Sequence, residues 1–377
     1  MTSSPPPGVP ATTRAVVIRG KGDVGIDDAV PTPRLREGYV LVRTTAVALN
    51  PTDWKHVDFA MGGDPTGARV GCDYAGIVKA VGPGVTTFKP GDRIAGGVHG
   101  ANQSQHEDGA FAEYIAAKAD IAFKIPDTMT DTDASTLGLG VTTVAQGLFQ
   151  ELKLNLPSDP VTTGEPILIS GGATATGILG IQFAKQAGYR VLATASPKQF
   201  AYLQSLGVDA GDLADYHAGA QACAETLAAA AREHRNPGHV PLTKAWDCVA
   251  SPETTELCAR TLAATTGAAS LHYRSLLPVA DDVVRRVDAR IDNGYSYYYK
   301  AFGEAFTKAV PFAASPADHA FACDFWRLAA ELITAARIVP APAFVDQGGA
   351  GLEGVLAGLQ TLKAGDVHGG KLVYTMV

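Results

Sequence analysis

The run from Pro166 to Gly188 constrains this chain more than any other part of it. Ile167, Leu168 and Ile169 form a short apolar run of the kind buried on both faces of a parallel sheet. Glycine and small polar residues follow at once from Gly171 to Gly177. A helical pattern then carries Ile178, Ile181, Phe183, Ala184 and Ala187 to a closing Gly188. Strand, small-residue loop and helix in that order suit a dinucleotide pyrophosphate. The glycines let the backbone come close to the phosphates, and N–H groups at the helix start face the negative charge. Gly172, Ala173, Thr174, Ala175, Thr176 and Gly177 are therefore candidate phosphate-binding residues, with a structural βα turn as the alternative.

The next strand bears on which dinucleotide. Arg190-Val-Leu-Ala-Thr-Ala195 is apolar and ends at Ser196-Pro197-Lys198. A ribose 2′-hydroxyl calls for Asp or Glu near such a strand end, whereas a 2′-phosphate calls for hydroxyls and a cation. The chain offers Ser196 and Lys198 and no carboxylate between Ile167 and Asp209. NADPH fits this pattern better than NADH; an ordinary turn into helix 198–206 is the alternative.

At 377 residues the chain is long for one core, which points to two domains. Hydrophobic residues make up 46% and charged ones 18%, and the net charge is −7. That charge argues against a nucleic-acid partner. No 18-residue apolar stretch marks a membrane span. The N-terminal residues 1–13 read as a disordered tail without a signal-peptide pattern. Cys72, Cys223, Cys248, Cys258 and Cys323 are odd in number and lack metal spacing, which fits a reducing compartment, the cytoplasm by default.

Along the chain, residues 14–125 are strand-rich with Gly and Pro turns, as in an antiparallel barrel-like domain. Residues 136–149 read as a helix and Leu156 to Pro160 as a linker. From 166 to about 312, strands alternate with helices, the pattern of a parallel sheet; a Pro/Gly loop stands at Asn236-Pro237-Gly238. Helices are expected at 301–309, 321–336 and 352–363, and a last strand at 371–375.

Together Leu49-Asn-Pro-Thr-Asp53, Pro90-Gly-Asp-Arg93, Gly172 to Gly177 and Gly369-Gly-Lys-Leu-Val-Tyr374 make the chain resemble the medium-chain dehydrogenase/reductase superfamily over nearly its full length. The resemblance implies an α/β fold: a GroES-like β-barrel catalytic domain with an inserted Rossmann doubly wound parallel sheet. Residues 14–156 and 314–377 would form the catalytic domain and 157–313 the NADP-binding domain. Zinc members carry Cys and His where this chain has Asn50 and Gly71-Cys72-Asp73, and 95–115 holds no cysteine, so no metal is expected. His99 and His106 read as solvated loop residues. Among zinc-free members the chain is similar to the fungal trans-acting enoyl reductases of highly reducing polyketide synthases. It shares with them Asn50 to Lys55, Asp215-Tyr-His217, Gly294-Tyr-Ser-Tyr297 and Phe325-Trp326.

That resemblance implies NADPH-dependent reduction of an α,β-unsaturated polyketide thioester held on an acyl carrier protein, by a monomer. Asn50, Pro51, Thr52, Asp53, Ser196, Pro197, Lys198, Gln199, Tyr216, Val367 and His368 would join the glycine loop in holding the cofactor. Thr142 would be catalytic, and Gly140, Val141, Thr143, Gly294, Tyr295, Ser296 and Tyr297 would line the substrate. The alternation of Tyr295, Tyr297 and Tyr299 suggests one strand with rings of one set on each side. Lys55 is a candidate active-site cation for an enolate or a proton relay; a solvated helix lysine is the alternative. Asp288, Arg290 and Asp292 make the segment 288–299 a poor edge for self-pairing, and Arg285, Arg286 and Arg290 are candidates for a carrier-docking patch. A free-standing quinone or 2-enone reductase, and a cofactor-binding protein without turnover, stay open.

Overall fold

Pro166-Ile-Leu-Ile-Ser170 is buried at every position in the computed structural model, as a strand covered on both faces must be. The structure describes residues 6–233, 240–265 and 267–376. The chain divides into two units, one running up to Thr142 and resuming at Tyr299, the other spanning Thr143–Tyr298.

The first unit opens with β1 (Thr12–Gly20) and β2 (Asp23–Pro31), an antiparallel pair turning at Gly22. Then come β3 (Tyr39–Ala48), α1 (Pro51–Val57), β4 (Asp73–Val81), β5 (Arg93–Gly97), β6 (Tyr114–Lys118) and β7 (Ala122–Lys124). α2 (Asp131–Ala134) and α3 (Gly138–Val144) lead out of it. In the second unit β8 (Pro166–Ser170), α4 (Ala175–Gln186), β9 (Arg190–Ala195), α5 (Phe200–Ser205), β10 (Leu213–Asp215) and α6 (Ala220–Arg232) make the first half. β11 (Lys244–Asp247), α7 (Pro252–Ala263), β12 (Leu271–Ser275), α8 (Asp281–Arg285) and β13 (Ile291–Tyr295) make the second. The chain returns through β14 (Phe306–Thr307), β15 (Pro311–Phe312), α9 (Pro316–Thr334), β16 (Ala343–Val345), α10 (Gly351–Ala364) and β17 (Lys371–Thr375).

The sheet of the first unit runs β16-β17-β3-β4-β5-β7, with β6 also on β3. All its pairs are antiparallel except β16 with β17. β17 sets Val373 opposite Ala48, so the C-terminal strand completes a sheet begun by residue 39. Val16, Val42, Tyr74, Phe111, Leu359 and Tyr374 belong to its core.

In the second unit the order is β10-β9-β8-β11-β12-β13, every pair parallel. Strand order therefore reverses beside β8, which makes a crevice at the strands' carboxyl ends. Trp246 of β11 is fully buried, and Gly147 and Gly180 are what admit it: a Cβ at either glycine would overlap its indole. Arg190 and Asp212 form a buried ion pair (Nε to Oδ2, 2.8 Å) that ties the start of β9 to the approach to β10.

Several expectations need correction. The tail read as residues 1–13 is shorter, because β1 begins at Thr12 and Val9 is buried, while residues 1–5 lie outside the description. The expected boundary at 156/157 differs from the observed one at 142/143, because the helix runs on past Val144 as a π-helical segment, Ala145–Glu151, whose Gly147 packs on Trp246. Residues 299–313 go with the first unit, since Tyr299 and Phe306 pack on His99. No helix forms at 301–309: Tyr298–Phe302 is a 3-10 turn, followed by the short β14 and β15. The tyrosines at 295, 297 and 299 therefore do not share one strand, because β13 ends at Tyr295. His99 is buried rather than solvated, whereas His106 is exposed. The Asn236–Gly238 loop lies outside the described residues. Among them, no helix is long and apolar enough to cross a membrane.

Candidate functional site

The phosphate loop follows β8 directly. Gly171 takes φ +75, a left-handed turn that favours glycine, and its N–H donates to Thr194 Oγ1 at 2.8 Å. Thr174 then caps α4: its hydroxyl accepts from Gly177 N–H (3.0 Å) and donates to the Gly171 carbonyl (2.8 Å). A Cβ on Gly177 would overlap the Gly171 carbonyl oxygen and lie 2.9 Å from Gly172 Cα, so the helix can meet the loop this closely only at glycine. Ala173, Thr174, Ala175 and Thr176 are half-exposed. The first-turn N–H groups of Ala175 and Thr176 have no carbonyl a turn earlier to bond, and they point out of a twelve-residue helix beside the switch point. This cradle fits a dinucleotide pyrophosphate.

At the tip of β9, Ser196 is half-buried and begins the 3-10 turn Pro197–Gln199, which leaves Lys198 exposed and Gln199 half-buried. Parallel pairing sets Asp215 level with Ala195, so a carboxylate distant in sequence stands beside this strand end. That carboxylate accepts from His217, at 3.0 Å from its N–H and 2.7 Å from Nδ1, and these bonds hold it below the usual carboxylate range. The exposed Tyr216 stacks on His217 at 4.1 Å. The same unit carries Thr143 and Ser296, both buried, half-exposed Gly294 and Tyr297, and exposed Tyr295. The rings of Tyr295 and Tyr297 meet edge to face at 6.2 Å.

In the first unit the organising group is Asp73. It is fully buried and accepts from Asn50 Nδ2 (2.9 Å), from Lys371 Nζ and from the backbone N–H of Leu139. One carboxylate thus joins the start of α1 to the start of α3, bringing together segments 50–55 and 139–142. Asp53 accepts the Asn50 N–H at 2.6 Å from full burial, which pushes its own pKa up to about 8. Thr52 is half-buried and Pro51 exposed. Lys55 is half-buried, 5.8 Å from the Trp54 ring centre, and has no carboxylate partner among the described residues; desolvation lowers its pKa. Gly140 and Val141 are buried. Thr142 is too, its hydroxyl spent on the Gly138 carbonyl (3.2 Å) and the Trp326 indole N–H (3.0 Å). Half-buried Val367 and exposed His368 sit on the loop before β17.

Residues 36–127 match the family model for the alcohol dehydrogenase GroES-like domain. A trans-enoyl reductase of Aspergillus sclerotiorum, resD, is 40% identical over 376 residues, covering 96% of this chain and 99% of that protein. A trans-enoyl reductase of Cochliobolus carbonum, TOXD, is 43% identical over 73% of this chain and 85% of that one. The chain belongs to the trans-enoyl reductase family. In fold it is similar to the CurK enoyl reductase, with TM-score 0.72 at 17% identity, covering 97% of this chain and 100% of that one.

This trans-enoyl reductase uses its would-be zinc positions internally. Asn50 turns an amide donor inward, Asp73 has its oxygens taken, and burial keeps the Cys72 thiol protonated by pushing it well up. That donor set does not fit zinc, which needs converging nitrogen and thiolate ligands.

What sequence reading missed in this family member is a buried group around Tyr299. Its ring stacks on His99 at 4.5 Å, and its hydroxyl lies 2.8 Å from Thr52 Oγ1. Lys308 Nζ sits 4.4 Å above the same ring and 2.8 Å from His56 Nε2. No spacing rule connects residues 52, 56, 99, 299 and 308. The one local hint was Lys308 and His99, which stand within otherwise apolar or glycine-rich runs.

Proposed function

We propose that this chain is a trans-acting enoyl reductase that uses NADPH to reduce the α,β-double bond of a polyketide thioester. The substrate would be held on the acyl carrier protein of a separate polyketide synthase, in fungal secondary-metabolite biosynthesis. The observation that carries the reading is near-full-length identity to proteins named trans-enoyl reductases, in a chain with a glycine-built loop at the switch point of a parallel sheet. When bound, the nicotinamide supplies the hydride that reaches the β-carbon. The chain's own residues bind, orient and protonate. The start of α4 holds the pyrophosphate, and Ser196 and Lys198 hold the 2′-phosphate, with Gln199 and Tyr216 beside them. Lys55, half-buried and without a carboxylate partner among the described residues, steadies the charge that develops on the thioester oxygen. Tyr295 and Tyr297 offer apolar ring surface to the acyl chain.

The test is oxidation of NADPH by purified protein mixed with a crotonyl thioester, free or carrier-bound. Oxidation with quinones or simple 2-enones but not with either thioester would favour the free-standing reductase. Tight NADPH binding without turnover on anything would favour a non-enzymatic role. Lys198→Glu is expected to weaken NADPH by about 1–3 kcal/mol, judged from charge-assisted hydrogen bonds, and to leave NADH unchanged. Fluorescence titration with both cofactors checks it, and equal affinity for the two in the unmodified protein sinks the NADPH assignment.

A monomer working in the cytoplasm completes the proposal. Edge strand β13 carries Asp292, engaged by Arg274 at 2.7 Å, and is a poor surface for self-pairing; sedimentation at single-chain mass is the expected result. Arg290 is withdrawn from the docking patch, since its guanidinium pairs with Asp288 at 2.6 Å and caps the end of α7 at Ala263, Thr265 and Ala268. Arg285 and Arg286 remain exposed. Reversing both to Glu is expected to slow reduction of the carrier-bound chain and spare the free thioester; equal loss on both would refute the patch.

A further inference from the structure

We propose that Lys308, His56 and Thr52 form a proton relay that protonates the α-carbon of the reduced substrate, with Tyr299 positioning the Thr52 hydroxyl. The proposal rests on the enoyl reductase reading above. Its geometry is continuous within the first unit. His56 Nδ1 lies 2.7 Å from the Thr52 carbonyl, which can only accept, so Nδ1 carries the proton and Nε2 the lone pair. Lys308 Nζ donates to that lone pair at 2.8 Å and to the Ala101 carbonyl at 3.1 Å. Ala101 is held at φ 51, a conformation uncommon without glycine, and so presents its carbonyl to an interior ammonium. Thr52 Oγ1 lies 3.4 Å from His56 Nδ1 and 2.8 Å from the Tyr299 hydroxyl. Lys308, His56 and Tyr299 are all at most 3% exposed, whereas Thr52 is half-buried, so the chain of hydrogen bonds opens outward at Thr52.

The proton balance closes. The carbanionic α-carbon takes the Thr52 hydroxyl proton, Thr52 Oγ1 takes the Nδ1 proton of His56, and His56 Nε2 takes one from Lys308. The ammonium ends as an amine and His56 as its Nε2-H tautomer; once product leaves, a solvent proton entering at Thr52 runs the same transfers in reverse, from Thr52 to Nδ1 and from Nε2 to the amine, and restores the starting state. A lysine suits the role because its surroundings hold it near neutrality. Desolvation lowers its pKa to about 7, with Cys72 opposing. The groups facing it are His56, His99, Cys72 and Tyr299; Arg36 bears on His99, and Asp53 and Asp73 bear on Cys72. Burial keeps both histidines neutral, so no second cation competes for the site. The donor is charged below about pH 7 and lost above it, so kcat should fall about tenfold per pH unit on the alkaline side.

Turnover of the full chain with NADPH and a free crotonyl thioester is measured from pH 5.5 to 9. Lys308→Met is expected to lower kcat at neutral pH on the order of 100-fold, to erase the inflection near pH 7, and to leave NADPH affinity and KM unchanged. Thr52→Val should reproduce the loss, and Thr52→Ser should restore it. Nitrogen-15 spectra of His56 should report Nδ1 protonated in the unmodified protein. A kcat that loses its pH dependence in neither variant overturns the relay, as does an Nε2-protonated His56. If Lys308→Met fails to fold, Thr52→Val with its Ser rescue decides when NADPH affinity is titrated beside it: loss of kcat at unchanged affinity supports the relay, and a loss that follows affinity overturns it. Absence of thioester reduction by the unmodified protein at any pH refutes the functional reading instead.

Discussion

Lys371→Met is expected to destabilise the first unit by about 3–5 kcal/mol, the usual cost of leaving one member of a buried pair behind. Asp73 is fully buried and Lys371 nearly so, and the ammonium also donates to the Thr136 carbonyl at 3.2 Å. Without it the carboxylate keeps, among the described residues, the Asn50 amide and the Leu139 N–H. Removing both charges should be gentler than removing one, so Asp73→Leu combined with Lys371→Met should recover a large part of the loss. Urea unfolding followed by fluorescence measures all three variants. A loss under about 1 kcal/mol for Lys371→Met would mean that Asp73 is held without its cation.

For Gly177→Val the expected result is loss of detectable NADPH binding, more than about 100-fold, together with roughly 2–3 kcal/mol of stability. The new Cβ would meet backbone, the Gly171 carbonyl and Gly172 Cα, rather than a side chain that can turn away. The loop must reshape, and the Thr174 cap on Gly177 N–H goes with it. Gly172→Ala is the contrasting control. Its Cβ would touch only side chains, at 3.0 Å from Ala193 and 3.2 Å from Ile181, so it should be much milder. Cofactor titration beside circular dichroism separates binding from folding. Unchanged affinity in Gly177→Val would remove this loop from the cofactor site.

Local chemistry made much of the second unit readable. β9 stands at Arg190–Ala195 as its apolar run implies, and β8 and β17 each match within a residue. Buried parallel strands are continuous apolar runs, and α4 and α7 start at the hydroxyl caps Thr174 and Ser251, so both leave marks within a few residues. The first unit was harder. β2 went unread because it alternates weakly, with acidic residues on its exposed positions and only Gly25 buried. The helix expected at 301–309 and the tyrosine strand failed for one reason: aromatic residues there were satisfied by stacking on His99, a partner two hundred residues earlier.

From its sequence alone, this chain determined a strand–loop–helix cradle with a glycine where no Cβ fits, a cationic strand end at Ser196 and Lys198, and the loss of a zinc-type donor set at Asn50, Cys72 and Asp73. The first two depend on residue type within a short window, where backbone freedom and side-chain charge act locally; the third follows from the resemblance to zinc members of the superfamily, which carry Cys and His at those places. Only the tertiary structure decided what those residues do to one another. It set Asp215 beside Ala195 across a parallel pair, spent the Thr142 hydroxyl on Trp326, and gave Asp73 a lysine from the far end of the chain. It also enclosed Lys308 against His56 with no carboxylate partner among the described residues. Long-range burial sets the cost of a charge, and no local spacing encodes which distant group will share it.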